Sequence, residues 1–328
     1  MNERLRQHPD DLDALVARTA TARKLPPAYV EKDFWVTEVL RAAVAEREVP
    51  MSDGSTQRVT FLFKGGTSLS RVFGIVDRFS EDIDLLAVFP HGASANARHT
   101  VLKKVDRDVT SHLGLTQNAV TVGPSTTGIK RYTTYRYPVR EYDESLKEGV
   151  VLELGVRGGT YPAGPHAYRS MVADYAIAEL DESEDMWEEF ASFEVSVLAP
   201  ERTLLEKLAA VHDAAVRRDT DALLKYGRHF YDIDRLLNTP TVVNALTILG
   251  AARFNELVED INIHSREAGF SWSARPEKGY ADSPAFDPAH PSHRSILSGY
   301  ESAQRLIHGE HVSFEHVLAT VAANQKNL

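Results

Sequence analysis

The sequence contains no cysteine, and no hydrophobic run approaches the roughly 20 residues that a membrane-spanning helix needs. Without cysteine, a small fold held together by disulfides or by cysteine-bound zinc is excluded. The thirteen histidines show no metal-ligand spacing such as His-Glu-x-x-His, and neither a Gly-x-Ser-x-Gly elbow nor a Walker-type loop occurs. The first thirty residues are charged throughout and lack the apolar core of a signal peptide, so the sequence predicts a soluble, cytoplasmic protein that does not bind membranes.

The composition that is present is that of an ordinary globular protein with an acidic balance. Of the 328 residues, 43% are hydrophobic and 26% are charged, which allows one large or two medium domains and excludes a disordered chain. The 47 acidic residues outnumber the 37 basic ones, and the net charge is −10. A protein that coats nucleic acid is therefore excluded, because non-specific binding depends on neutralising many phosphates. A local basic site is still compatible with this charge.

Hydrophobic patterning predicts an α+β fold, with a sheet in the first part of the chain and helices after it. β-branched and aromatic runs predict strands at residues 59–63, 82–88, 131–137, 150–154 and 193–197. Apolar residues at helical spacing predict two N-terminal helices, a crossover helix at 94–113 that Ser94 caps, and several helices toward the C-terminus. Segments rich in Ser, Gly and Asp or Pro predict loops at 51–58 and 269–292.

The most informative segment reads FLFKGGTSLSRVFGIVDRFSEDIDLL and begins at Phe61. A predicted strand ends at Lys64, and two glycines follow, which let the backbone turn sharply and approach a ligand. Hydroxyl groups then stand at the N-terminus of a predicted helix, where free N–H groups and the helix dipole favour a phosphate. The residues of this predicted phosphate-binding turn are Lys64, Gly65, Gly66, Thr67 and Ser68.

Two aspartates follow the turn on the next predicted strand. Asp82 and Asp84 are separated by one residue, so both carboxylates point to the same face of a sheet. Two carboxylates beside a phosphate pocket are the ligands that magnesium needs, with substrate phosphates completing its shell. A lone Gly-Gly turn or a lone Asp-x-Asp is usually structural. Their order along the chain, with a strand, a turn, a helix and a second strand, favours nucleotide chemistry.

This segment resembles the signature of DNA polymerase β-like nucleotidyltransferases and, within them, the AbiEii/MenT toxins of type IV toxin–antitoxin systems. The resemblance covers most of residues 29–237, and two other segments support it: Tyr29–Thr37, and Thr203–Leu208 with Tyr231–Ile233 downstream. It implies a mixed-sheet nucleotidyltransferase domain at 1–197 and a mostly helical domain at 198–328. The implied activity is transfer of a nucleotide from an NTP to the 3′ end of tRNA, which blocks translation, and the implied partner is a cognate antitoxin.

The resemblance also assigns roles to individual residues. It implies that Asp82, Asp84 and Glu153 bind Mg²⁺ or Mn²⁺, and that Lys207 and Asp232 complete the catalytic set. The triphosphate would be held by the turn from Lys64 to Ser68. For Glu153 the alternative is an acidic residue on a solvent-facing strand position, and for Lys207 it is a surface lysine. Asp232 lies nearly opposite the apolar stripe of its helix, so the pattern alone predicts a solvated side chain.

Ser80 is a candidate for regulation as well as for nucleotide binding. Some relatives are silenced by a partner kinase that phosphorylates a serine in this loop, and a phosphate there would compete with the triphosphate for cations. The alternative is a capping hydroxyl. Two groups of basic and aromatic residues are candidates to bind the RNA acceptor, unless they are only solvated faces. These are Lys103, Lys104 and Arg107, and Lys130–Tyr132 with Tyr135–Tyr137.

Two other functions are open at this point. The fold is compatible with nucleotide transfer to a small molecule or to a protein, which would label an acceptor other than RNA. A nucleotide-binding module that has lost turnover is the third reading, and it would bind NTP without releasing pyrophosphate. The presence of both Asp82 and Asp84 favours an enzyme over such a module.

Overall fold

The computed structural model describes residues 3–80, 82–267 and 269–328. Within it the chain forms two compact units. The first unit comprises residues 1–67, 81–156 and 163–197, and the second comprises residues 68–80, 157–162 and 198–328. The division into independent domains at residue 197 stays a prediction. Within the described residues, no helix is both long and apolar enough to cross a membrane.

The helices and strands alternate in the first part of the chain, and helices predominate after residue 198. The α-helices are α1 (Pro9–Arg23), α2 (Pro27–Ala43), α3 (Gly65–Arg71), α4 (Ala95–His112), α5 (Met171–Leu180), α6 (Pro200–Arg217), α7 (Thr220–Lys225), α8 (Gly227–Leu237), α9 (Pro240–Glu267, interrupted at Gly250), α10 (His293–Ala303) and α11 (Phe314–Ala323). The strands are β1 (Arg47–Pro50), β2 (Thr56–Lys64), β3 (Asp82–Val88), β4 (Val120–Val122), β5 (Lys130–Tyr135), β6 (Val150–Gly155), β7 (Ala163–Tyr168) and β8 (Phe193–Leu198).

The strands form one mixed sheet with the order β4-β5-β6-β3-β2-β8-β7, and β1 pairs with β2. The pairs β3–β6 and β2–β8 are parallel, whereas β2–β3, β4–β5 and β5–β6 are antiparallel. The predicted α+β fold, with a mixed sheet and a helical C-terminal part, is confirmed. The predicted cap is confirmed as well, since Ser94 Oγ accepts a hydrogen bond from the N–H of Ala97 at the start of α4.

Some elements differ from the sequence-based prediction. The predicted loop at 51–58 is shorter, because β2 begins at Thr56 and pairs with β1 in a hairpin. Strand β7 has the sequence AGPHAY, which contains glycine and proline instead of β-branched residues, and it lies at the edge of the sheet, where proline is tolerated. The predicted long loop at 269–292 is confirmed and contains two short 3₁₀ turns.

Helix α2 is buried on nearly all sides, although three consecutive charged residues stand in its first half. Glu31, Lys32 and Asp33 are each at most 4% exposed. Buried charges need partners, and all three find them in the backbone of other segments. Asp33, for example, accepts a hydrogen bond of 2.7 Å from the N–H of Met171, the first residue of α5. Helix α2 thereby fixes loops that lie far away in the sequence.

The second unit has its own hydrophobic core, formed mainly by α6, α8, α9, α10 and α11. Apolar residues at helical spacing on two helices are its centre: Leu204, Leu208, Val211 and Ala215 on α6, and Phe230, Ile233 and Leu237 on α8. Residues 68–80 contribute Leu69, Ile75 and Val76 to the same core. This contribution matters for the site, because it places the residues just before β3 against α6 and α8.

Candidate active site

The predicted catalytic carboxylates of the first unit lie on one face of the sheet. Asp84 on β3 is the register partner of Lys64 on β2 and of Glu153 on β6, and Glu153 is in turn the partner of Tyr132 on β5. Register partners point to the same face of a sheet, and so does Asp82, two residues before Asp84. The structure therefore brings Asp82, Asp84 and Glu153 together on one face, with each side chain partly exposed.

Two of these carboxylates are paired with lysines. Lys147 Nζ lies 2.8 Å and 3.1 Å from the two carboxylate oxygens of Asp82. Lys130 Nζ lies 2.7 Å from Glu153 Oε1. All four side chains are at least 20% exposed, and ion pairs of this kind are weak and easily exchanged. The lysines thus neutralise the carboxylates but leave their oxygen atoms accessible.

The turn before α3 is shaped around Asp84. Helix α3 begins at Gly65 itself, earlier than the sequence predicted, and Gly65 has a φ of +83°. A Cβ atom at this position would overlap the carboxylate of Asp84. Thr67 is buried, and its hydroxyl donates a 2.6 Å hydrogen bond to the carbonyl of Asp82. Ser68 is also fully buried. The turn therefore brings the glycine backbone directly against the carboxylates.

We expect Gly65→Ala to lower the free energy of unfolding by about 1–3 kcal/mol and to impair catalysis, because the new methyl group displaces Asp84. Gly54→Ala is the matched control, since Gly54 has a φ of +85° but no atom within 4 Å of the place that the methyl group would occupy. Denaturant unfolding and nucleotide transfer are measured for both variants. If Gly54→Ala impairs transfer as strongly as Gly65→Ala, the steric explanation is wrong.

The donor chemistry of this face fits magnesium. Mg²⁺ prefers oxygen ligands and usually takes one or two carboxylates together with substrate phosphates, not a cage made of protein alone. Asp82, Asp84 and Glu153 offer carboxylate oxygens on one face, beside a turn at which backbone approaches closely. Among the described residues, no group of three or more acidic or histidine side chains is already spaced to hold an ion. Three carboxylates are fewer ligands than Mg²⁺ takes, so they suit an ion that also binds the phosphates of a nucleotide.

The other predicted catalytic residues form a buried ion-pair cluster in the second unit. Asp232 on α8 is 0% exposed. Arg78 Nε and Nη2 donate to its two carboxylate oxygens at 2.5 Å and 2.7 Å, and Lys207 Nζ lies 2.9 Å from Asp232 Oδ2. Lys207 Nζ also lies 3.3 Å from Nδ1 of His229. Two cations therefore share one buried carboxylate.

This cluster corrects one expectation and excludes one alternative. Asp232 is not solvated, as its helical pattern alone predicted, and Lys207, at 6% exposed, is not the surface lysine that was the alternative for it. The pattern misled because it assumes that the face opposite an apolar stripe meets water. Here that face of α8 meets Arg78, which belongs to the irregular stretch that precedes β3.

Burial and neighbouring charges shift the pKa values of Asp232, Lys207 and His229. Burial on its own would raise the pKa of Asp232, but Arg78 and Lys207 outweigh it and hold this pKa well below its usual value. Burial lowers the pKa of Lys207, a change that Asp232 opposes and Arg78 reinforces. Burial and the charge of Lys207 lower the pKa of His229 well below its usual value. His229 is therefore neutral at pH 7.

A family model identifies the relatives of this chain. A family model described as nucleotidyl transferase AbiEii toxin, type IV toxin–antitoxin system, matches residues 53–297. The chain belongs to the AbiEii family. It is accordingly a nucleotidyltransferase toxin of a toxin–antitoxin system, and the family implies a cognate antitoxin. A comparison with curated proteins finds no significant match.

The AbiEii match extends the resemblance found by sequence. It reaches past residue 240, where the motifs gave little indication, and includes α9 and the long loop before α10. The N-terminal segment Tyr29–Thr37, which supported the resemblance, lies before the matched range. This segment is part of α2.

The remaining candidate residues of this AbiEii chain differ in how exposed their side chains are. Ser80 is partly buried in the irregular stretch just before β3, and Glu81 lies outside the described residues. Tyr135 and Tyr137 are buried, so the expectation that they stack on RNA bases is wrong. The hydroxyl of Tyr135 donates a hydrogen bond to Asp106, and the ring of Tyr137 stacks on Trp35. The exposed basic residues of α4 remain as candidates: Lys103, Lys104 and Arg107.

Sequence reasoning missed three residues that contact the predicted site: Lys130 as a partner of Glu153, Lys147 as a partner of Asp82, and Arg78 as a partner of Asp232. The sequence indicates Lys130 only as a candidate for RNA binding. Lys147 lies in a loop without a recognisable pattern, so no signal was available. Arg78 stands inside the informative segment, where a cation so close to two aspartates was a usable signal.

Proposed function

We propose that this AbiEii toxin transfers a nucleotide from an NTP to the 3′ end of a tRNA and thereby blocks translation. The observation that carries the proposal is the row of Lys64, Asp84 and Glu153 across adjacent strands, with Asp82 on the same face. This row combines a phosphate-binding cation, metal-binding carboxylates and a candidate base beside the tight turn at Gly65. The proposed activity is that of a metal-dependent nucleotidyltransferase of the EC 2.7.7 type.

The reaction forms one bond and breaks another. The oxygen of the terminal ribose hydroxyl attacks the α-phosphorus of the NTP, and the bond from that phosphorus to the oxygen bridging the α- and β-phosphates breaks. Pyrophosphate leaves, and the proton of the hydroxyl passes to a carboxylate. Glu153 is the residue proposed to accept it, because it lies at the edge of the row and is partly exposed.

Asp82, Asp84 and Glu153 are the residues proposed to hold Mg²⁺ or Mn²⁺. When bound, such an ion neutralises charge on the triphosphate and lowers the pKa of the attacking hydroxyl. The residues of the chain orient the reactants around it. The turn at Gly65 and Gly66, with Lys64, Thr67 and Ser68, is proposed to hold the triphosphate.

A single-stranded RNA end suits the surroundings of this face. Tyr132 is partly exposed and is the register neighbour of Glu153, so its ring can stack on the last base of an acceptor. Lys103, Lys104 and Arg107 do not belong to this face, because their helix α4 binds Arg131, Thr133 and Tyr135 on the opposite face of the sheet through Asp106. Because the whole chain carries a net charge of −10, we expect the contact with RNA to be local and brief.

Ser80 supports a proposal about the antitoxin. The residue is two positions before Asp82, so a phosphate on its hydroxyl would bring about 1.5 to 2 negative charges next to the metal-binding carboxylates. Such a phosphate would repel the triphosphate and compete for its cations. We propose that the cognate antitoxin is a kinase that silences the toxin at this position.

Labelling of total tRNA tests the function directly. Purified protein is incubated with tRNA, Mg²⁺ and each radiolabelled NTP in turn, beside Asp82→Ala. We expect label on the tRNA with at least one NTP, removal of the label by 3′-exonuclease, and no label above background with Asp82→Ala. Equal label with both proteins would contradict an enzymatic role of this site. Label on protein or on a small molecule in place of RNA would overturn the proposed acceptor.

A further inference from the structure

The loop that joins β5 to β6, residues 136–149, is held in place by helix α2. Glu31 accepts hydrogen bonds from the N–H groups of Arg140 and Glu141, at 3.0 Å and 2.8 Å. Lys32 is 0% exposed, and its ammonium group donates to the carbonyls of Lys147, at 2.6 Å, and of Gly149. Both buried charges thus bind backbone groups of the same loop.

The side chain of Lys147 is not held in the same way. Its backbone carbonyl accepts from the buried Lys32, whereas its own side chain is 54% exposed and reaches the carboxylate of Asp82. Exposed ion pairs contribute little to stability, so this contact is readily exchanged. The ammonium group can change its partner, but its fixed backbone keeps it close to the carboxylates.

A metal ion at Asp82 would need the same oxygen atoms that Lys147 now contacts at 2.8 Å and 3.1 Å. Once displaced, the ammonium group would remain beside a triphosphate, which carries several negative charges and is the strongest acceptor in its reach. We propose that Lys147 exchanges partners during substrate binding: it neutralises Asp82 before the metal–nucleotide complex arrives, and it then binds the phosphates of that complex. This inference rests on the proposed metal-dependent use of an NTP.

The exchange predicts two effects of opposite sign. Without the ammonium group, Asp82 loses a cation that competes with the metal, so a metal ion alone should bind more tightly. The phosphates would lose a charged donor, so the metal–triphosphate complex should bind more weakly. A lysine that only supports the loop would change both affinities in the same direction or neither.

Binding of Mn²⁺ and of the Mn²⁺–tripolyphosphate complex tests the proposal without knowledge of the base that the enzyme prefers. Electron paramagnetic resonance measures free Mn²⁺, and calorimetry measures the complex. For Lys147→Met we expect about two- to fivefold tighter binding of Mn²⁺ alone and about tenfold weaker binding of the complex. Lys147→Arg should retain most of the affinity for the complex, because it preserves the charge.

Lys225→Met is the matched control, since it removes the same charge from an exposed residue of α7. If it reproduces both changes, net charge explains them and the proposal is overturned. Equal affinities of Lys147→Met and the wild type would overturn it as well. tRNA labelling by the wild type separates the two proposals. Opposite affinity changes without labelled tRNA would refute only the acceptor, and labelled tRNA without those changes would refute only the exchange.

Discussion

Asp232→Ala is expected to lower the free energy of unfolding by about 3–5 kcal/mol, because it leaves Arg78 and Lys207 buried without their shared counter-ion. Arg78 is 2% exposed and Lys207 is 6% exposed, so water cannot replace the lost carboxylate without rearrangement. Urea unfolding at pH 7, followed by circular dichroism, measures the change. The same substitution removes a proposed catalytic group, so transfer should also be lost.

The control for this variant is Asp221→Ala, which removes an exposed carboxylate from α7 and should change stability by no more than about 0.5 kcal/mol. A double-mutant cycle with Arg78→Met then isolates the ion pair, since neighbours in one network couple by about 0.5–3 kcal/mol. If Asp232→Ala proves as mild as the control, the cluster does not stabilise the second unit as described.

The wild type should also reveal Asp232 through its pH dependence. Its pKa is lowered in the folded protein, so the unfolded chain takes up a proton first as the pH falls. The stabilisation is therefore fully present at neutral pH and decreases below the ordinary aspartate pKa of about 3.9. Asp232→Ala should show a smaller decrease over that range.

Asp84→Asn is expected to lower nucleotide transfer about a thousandfold while the protein stays folded. The amide keeps the shape of the side chain next to Gly65 but removes the charge that the proposed metal ion requires. A loss of about 4 kcal/mol in transition-state stabilisation corresponds to this factor. Initial rates of labelling at saturating NTP and tRNA measure it.

Glu148→Gln is the matched control for Asp84→Asn. Glu148 lies in the loop before β6, and its side chain is 71% exposed and paired with Arg136. The Glu148→Gln variant should transfer nucleotides at the rate of the wild type. Retention of more than a tenth of the activity by Asp84→Asn, with unchanged thermal unfolding, would remove Asp84 from the proposed metal site.

The sequence predicted the strands that are rich in β-branched residues and missed the others. Strand β3, with the sequence DIDLLAV, was predicted from residue 82 to residue 88, as found. Strands β4, with three residues, and β7, with a proline, are too short or too atypical to be identified from propensity. Their positions depend on pairing with β5 and β8, which a local pattern does not contain.

The same limit applies to the candidate site. The geometry of Asp82 and Asp84 follows from strand alternation and could be predicted, whereas the register that sets Glu153 beside Asp84 depends on how β3 and β6 meet. The contacts of Lys147 and Arg78 join residues 65 and 154 positions apart in the chain. No periodicity connects such distant positions, so only the folded chain reveals these pairs.

Helix α2 has a consequence for how the protein can be shortened. The range that matches the AbiEii model begins at residue 53, after α2 has ended. A fragment cut to that range would lose Lys32, the donor to the carbonyls of residues 147 and 149, together with the carboxylate of Glu31. The loop would then have to find water or new donors for these groups. The smallest portion that can keep this face of the sheet in order is therefore longer than the portion by which the family is detected.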